Sequence, residues 1–219
     1  MNPTDPGRPR RRLRARLKLV CLVLLFAGPL AAAFLGYYGA ALDFSRRGQS
    51  NNAPLISPPA ALKPYRNITL SGAPASRDTL GRKWTIVHVI AGRCGAPCKQ
   101  ALYQTRQTRL AAGKDLKRIQ RYIVVRDWDA AGPAPGPGTL VGQIRLNHPD
   151  AALLKPAPPG ADTGLETQVT ARLEALDAAA HDAVLVDPLG NMMMLVPLDL
   201  EPRLLLKDLK KLLKLSRIG

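Results

Sequence analysis

Three hydrophobic patterns succeed one another along the chain. The first is a block: from Leu19 to Leu42 run 24 residues, LVCLVLLFAGPLAAAFLGYYGAAL, with no charged side chain. About 20 apolar residues cross a bilayer core as a helix, so the block predicts one N-terminal transmembrane helix. Pro29 would bend it, and Phe34, Tyr37 and Tyr38 suit its far interface. A cleaved signal peptide carries an apolar core of only about 7–15 residues, shorter than this one. A lipoprotein cysteine would close the run, whereas Cys21 lies near its start and reads as a small apolar residue in lipid. No other window approaches 18 apolar residues, so one span is expected.

The second pattern is a lack of period. Residues 43–64, DFSRRGQSNNAPLISPPAALKP, are rich in Ser, Asn and Pro and read as a tether. The third pattern alternates strand and helix. RNITL and SGAPASRDTLGRK begin like a hairpin, and Trp84–Ala91 (WTIVHVIA) forms a strand apolar enough to be buried on both faces. A helix is expected from about Pro97 to Ala112, with Leu102, Thr105, Arg109 and Leu110 mixing apolar and basic positions and Gly113 at its end. A second strand follows at Arg121–Arg126. Residues 129–164 then hold seven Pro and six Gly, a long irregular insertion in which LVGQIRLNHPDAALL could form a short helix or strand.

Leu165–Ala178 has helical spacing at Val169, Leu173 and Leu176. His181–Val186 and Met192–Val196 read as strands joined by a turn at Asp187-Pro188-Leu189-Gly190-Asn191. The last helix, Glu201–Ser216, places Leu205, Leu209, Leu212 and Leu213 on one face and four lysines over the rest. Such a helix can lie on an anionic membrane, but packing on its own sheet is the commoner outcome. The order β, helix, β, long loop, helix, hairpin, helix predicts an α/β thioredoxin-like domain over 65–219, a central mixed sheet with flanking helices.

The net charge of +16, from 32 Lys+Arg against 16 Asp+Glu, at first suggests nucleic acid. Its location changes that reading. Residues 1–18 carry seven basic side chains against Asp5, a net +6 directly before the apolar block. Basic residues stay on the cytoplasmic side, so this tail is expected inside and everything after Asp43 outside. In a bacterium that is the inner membrane, with the domain in the oxidising periplasm and nucleic acid out of reach. The exposed part keeps +10, suited to an acidic membrane partner or anionic lipid. The formal glycosylation sequon Asn67-Ile68-Thr69 is discounted in that setting.

Chemistry concentrates at Cys94-Gly-Ala-Pro-Cys98, where the first buried strand hands over to a helix. Cysteines at i and i+4 near a helix start can bring their sulfurs together. Backbone N–H groups there, with Arg93 and Lys99 alongside, favour thiolate. Such a pair can cycle between dithiol and disulfide or offer two soft ligands to an ion such as Cu(I). An inert disulfide or two buried thiols is the plainer alternative. Met192-Met193-Met194 is better read as core: alternation sends Met192 and Met194 to one face and Met193 to the other. Asp127-Trp128-Asp129 could border the site, and Asp187 reads as a turn residue.

The run GRKWTIVHVIAGRCGAPCKQAL resembles the strand and cysteine helix of membrane-anchored thioredoxin-like proteins. Its three-residue gap between cysteines is similar to that of the SCO/SenC family of cytochrome oxidase assembly proteins. The tail VLVDPLGNMMMLVPLDLEPRLLLKDLKKLLKLSRIG resembles transmembrane SCO-like proteins associated with bacterial cytochrome c oxidase. The likeness covers roughly residues 65–219. It implies copper held by Cys94, Cys98 and a distant His, for which His181 is the candidate. The chain departs from the family pattern at Gly95 and Lys99, where the family tends to have Pro. Of the other histidines, His88 reads as a core or sheet-face residue, and His148 lies in the flexible loop as a weaker candidate ligand. The resemblance further implies a role in oxidase assembly, by Cu(I) delivery or by thiol reduction at the copper site, with an oxidase subunit or assembly factor as partner. A general membrane-tethered thiol–disulfide oxidoreductase, attacking through Cys94 and resolving through Cys98, and a non-catalytic scaffold are the alternatives.

Overall fold

The computed structural model describes residues 8–38, 51–76, 78, 83–128, 136, 138–158 and 164–216; at 8–15, 17, 32, 33 and 35–38 it describes the backbone alone. Contacts divide the chain into two units, Met1–Ser50 and Asn51–Gly219. The first contains, among its described residues, the helix α1 (Arg8–Tyr38), with Pro29 inside it. Leu22, Leu24, Leu25, Phe26 and Leu30 are all exposed on it. Among the described residues no helix is long and apolar enough to cross a membrane. Much of the second half of the uncharged run, at 32, 33 and 35–42, lies outside the described side chains.

The second unit is built on an eight-stranded sheet. Its strands are β1 (Leu55–Ala61), β2 (Asn67–Thr69), β3 (Pro74–Ala75), β4 (Trp84–Ile90), β5 (Ile119–Val125), β6 (Ala151–Lys155), β7 (Ala183–Val186) and β8 (Asn191–Val196), in spatial order β1-β8-β7-β4-β5-β6-β2-β3. The central strands β4, β5 and β6 are parallel, and every other pairing is antiparallel. The helices are α2 (Ala96–Leu110), α3 (Leu140–Asn147), α4 (Leu165–Ala175) and α5 (Pro202–Leu215), with a 3-10 segment at Gly113–Arg118 before β5.

Strand alternation sorts the core into two layers. Trp84, Ile86 and Ile90 of β4 face the side where α2, α3 and α5 lie, and Val87 faces α4 through Leu165 and Val169. Covering both faces is what permits so continuous an apolar run in β4. Leu205, Leu209 and Leu213 bury one face of α5 against Trp84, Ile86 and Leu185, so the terminal helix packs on the sheet as its spacing predicts. The β7–β8 turn is closed by Asp187, whose Oδ1 accepts from the N–H groups of Leu189 and Asn191, both at 2.8 Å. Gly190 follows at φ 84°, a left-handed position that glycine adopts freely.

Several expectations are corrected. The tether expected over 43–64 gives way at Asn51: Leu55–Ala61 pairs with β8, and Ala53, Ile56 and Leu62 are buried. Prolines 58 and 59 hid this strand, yet an edge strand tolerates them because one side of its ladder is unused. By contrast, the short helix or strand expected within the 129–164 insertion at LVGQIRLNHPDAALL is present, as α3 and as β6, the latter parallel to β5. The methionine triplet does not alternate, because the register shifts between Leu185 and Val186. Met192 therefore joins the α4-side core and Met194 the α5-side core, both buried. Asn67, the sequon residue, is buried: its amide donates to Glu166 at 2.7 Å and to the Lys155 carbonyl at 2.9 Å, and its Oδ1 accepts from Leu165.

Candidate redox site

The parallel strands deliver the chemistry to their carboxyl ends, where open α/β sheets form their crevices. At the end of β4 the chain turns at Gly92, whose φ of 67° suits a residue without Cβ. The Gly92 N–H donates to the Asp127 carboxylate from the loop after β5. That bond ties together the two loops beside the cysteines. Trp128 packs against the same cluster as Cys94 and stacks under the Lys155 ammonium at 5.2 Å. Asp129 lies outside the described residues.

Cys94 precedes α2 and Cys98 sits in its first turn, and the two form a disulfide across a Cα separation of 5.1 Å. The expected convergence of sulfurs at i and i+4 is thus present. Cys94 is half-buried and Cys98 buried, at 2% exposure. Gly95 caps α2 without a side-chain hydrogen bond, and its first turn contains no acidic residue. The positive end of the helix is therefore left to act on the sulfurs, which in the dithiol form stabilises a thiolate.

Cys94 opens into a cleft of about 460 Å³. Lys99, Leu102 and Arg106 of α2 form one wall, Ile144 of α3 and His148 the other. A charge cluster lies behind it. Asp150 receives Arg106 Nε at 3.1 Å, Arg121 Nη1 at 3.2 Å and Arg109 Nη1 at 3.7 Å, so three guanidiniums share one carboxylate. Arg121 is wholly buried, and its Nη2 donates to the Leu102 carbonyl at 2.7 Å, pinning α2 to β5. Burial pushes the Arg121 pKa down, with Asp150 opposing. Burial alone would raise the Asp150 carboxyl, but the charge and hydrogen bond of Arg121 hold it below its ordinary value. Burial, then Arg121, pull His148 down to about 4, so it is neutral at physiological pH. Its Nδ1 is buried with no hydrogen-bond partner among the described residues.

His181 falls elsewhere. It precedes β7 in a turn at φ 75° rather than opening the strand, and it lines a small separate hollow with His88 and Thr105. His88 is buried, hydrogen-bonded through Nε2 to Thr105 Oγ1 at 2.9 Å, and pushed well below its ordinary pKa by burial first. This is the satisfied core histidine expected of a mid-strand position. Among the described residues no group of three or more His, Cys, Asp or Glu is placed to hold a metal ion. The structure thus joins Cys94 to Cys98 but does not join His181 to them; the histidine lining the Cys94 cleft is His148. The two sulfurs alone are soft donors that suit Cu(I).

Arg121 and Asp150 escaped the sequence reading. The available signal was parity: Arg121 stands between Ile119 and Ile123 on one face of a buried strand, where a lone charge demands a partner.

Residues 84–165 and 138–216, together more than half of the chain, match the transmembrane-like, thioredoxin-like, C-terminal domain family. No curated protein matches the sequence. Among solved structures, copper-bound ScoI of Arabidopsis thaliana is 13% identical, with a TM-score of 0.54 over 72% of this chain and 100% of that one. Copper-bound yeast Sco1 is 16% identical, with a TM-score of 0.54 over 72% and 91%. A thio-disulfide isomerase from Thermus thermophilus is 17% identical, with a TM-score of 0.50 over 75% and 99%. These likenesses establish a thioredoxin-like fold shared with Sco proteins and thiol–disulfide enzymes. The chain belongs to the transmembrane-like, thioredoxin-like, C-terminal domain family.

Proposed function

We propose that this chain is a single-pass protein of the bacterial inner membrane whose periplasmic domain exchanges thiols and disulfides. In this reading it assists cytochrome c oxidase assembly by keeping the copper-site cysteines of an oxidase subunit reduced. The basic tail before the uncharged Leu19–Leu42 run and the exposed apolar side chains of α1 support the anchor. The observation that carries the redox reading is the asymmetric pair: Cys94 half-exposed in a cleft, Cys98 buried behind it, both at the positive end of α2.

The step runs from the dithiol form. The Cys94 thiolate attacks one sulfur of the partner's disulfide, and the other leaves as a thiolate and takes a proton. Cys98 then loses its proton and attacks Cys94 Sγ, releasing the second partner sulfur. Two electrons have passed to the partner, and Cys94–Cys98 is left oxidised. A dithiol reductant in the same compartment restores the starting form.

The experiment uses the reduced full chain in detergent with a disulfide-bridged peptide. Cys98→Ser accumulates a mixed disulfide on Cys94, and Cys94→Ser accumulates none. Trapping on Cys98 instead of Cys94 reassigns the attacking sulfur, whereas no trapping in either variant, or a Cys94–Cys98 potential well below about −300 mV, overturns redox cycling in favour of an inert disulfide.

Cu(I) delivery is the second reading, favoured by two soft sulfurs converging at one site and by the copper in the Sco structures named above. Copper would then be cargo held by Cys94 and Cys98. Anaerobic titration with Cu(I) against a colorimetric chelator is expected to load one ion per chain, lost with either Cys→Ser; no loading removes this reading. His181→Ala leaves loading unchanged if two sulfurs suffice and abolishes it if His181 is a third ligand.

A further inference from the structure

The cleft beside Cys94 is lined asymmetrically in charge. Lys99 and Arg106 are cations, and no Asp or Glu is among its described lining residues. Arg106 is not neutralised by its own partner, because Asp150 is shared with Arg109 and Arg121. Lys99, on the exposed first turn of α2, forms no ion pair among the described residues. The apolar part of the lining is Leu102, Leu140 and Ile144. The lining also contains His148, whose Nδ1 is buried without a partner among the described residues. Charge, an apolar lining and a polar atom without a partner among the described residues thus surround one sulfur of the pair.

We infer that the cleft selects protein segments in which Asp or Glu lies within about three residues of the reacting cysteine, next to an aliphatic side chain. The carboxylate pairs with Lys99 and Arg106, and the aliphatic group lies on Leu102, Leu140 and Ile144. This rests on thiol exchange at Cys94 as proposed above and adds the partner's chemistry. Complementary charge across an interface sets partner choice and encounter rate more than raw affinity, so the effect belongs in kcat/KM and falls with salt.

The test uses the reduced full chain in detergent and self-quenched peptide disulfides that fluoresce on cleavage. Four peptides place Asp-Leu, Asn-Leu, Lys-Leu or Asp-Asn before the cysteine. Each rate is divided by the rate with dithiothreitol alone, which removes the effect of neighbouring charge on the peptide sulfur. The expected Asp-Leu to Lys-Leu ratio is about tenfold at low salt, with Asn-Leu between and Asp-Asn below Asp-Leu. Lys99→Gln is expected to reduce the ratio severalfold and Lys99→Glu to erase or reverse it. Both changes are on an exposed turn, so neither threatens the fold; Arg106→Gln is the second variant.

Equal normalised rates across the peptides, or a ratio indifferent to Lys99→Glu, overturn the inference while leaving thiol exchange standing. Reduction of no peptide above the Cys94→Ser level overturns both readings together.

Discussion

Asp150→Asn separates charge from shape at the centre of the site's support. Arg121 is wholly buried and is held by Asp150 at 3.2–3.3 Å through Nη1 and by the Leu102 carbonyl through Nη2. Removing one partner of a buried pair leaves an uncompensated charge and costs about 3–5 kcal/mol. Asparagine keeps one acceptor oxygen, which places the change at the low end, about 3 kcal/mol. With a urea slope of about 2 kcal/mol/M, the unfolding midpoint falls by about 1.5 M. Trp84, 4% exposed, is the fluorescent reporter. Replacing both partners, Arg121→Met with Asp150→Asn, removes the buried charge along with its mate, and the double variant should recover to within about 1 kcal/mol of the parent. A midpoint shift below about 0.3 M, or a double variant no more stable than Asp150→Asn, would refute the claim that the pair is held by charge.

Three further outcomes follow from other parts of the molecule. Because the folded pKa of His148 lies near 4 and the unfolded value near 6.5, the unfolded chain binds the extra proton between them, and stability falls as pH drops from about 6.5 to 4. The slope approaches about 1.4 kcal/mol per pH unit; His148→Gln should flatten its share in urea titrations across that range, leaving the share of His88, which is depressed in the same direction. Asp150 acts lower: its depressed pKa gives stability present above the unfolded value of 3.8 and lost as pH falls through the folded one, so the parent, unlike Asp150→Asn, should show a further acid-side loss below 3.8. Asp208, buried on α5, accepts from Asn52 N at 2.7 Å, Asn52 Nδ2 at 2.8 Å and Ala53 N at 2.8 Å; Asp208→Ala should cost about 3 kcal/mol by urea unfolding and raise amide exchange at 51–61.

What was legible in the chain was whatever local pattern dictates. Trp84–Ile90, the cysteine helix, the Asp187 turn and the leucine face of α5 follow from spacing, and all lie where spacing puts them. What stayed hidden depends on partners distant in sequence. Leu55–Ala61 has two prolines and no alternation, and becomes a strand only because β8 offers it an edge. Met192 changes face because of a register shift that nothing in the triplet announces. The cysteines were visible as a motif. His148 was legible only as a weaker candidate ligand than His181, because its place beside Cys94 depends on α3 and β6, which bring His148 and Asp150 alongside α2.

The edge position of β1 has a consequence for biosynthesis. Leu55 pairs with Met194, about 140 residues further along the chain. At roughly 5–20 residues per second, a ribosome needs on the order of ten seconds to supply that partner. Throughout this interval the first strand of the domain has been made but has no ladder to join, while the segments of β4, β5 and β6 are produced after it. An unpaired strand is a template for the wrong neighbour, and proline is a standard means of blunting one. Prolines 58 and 59 stand in the strand that waits longest for its partner, where a residue lacking a backbone N–H gives a wrong neighbour less to pair with.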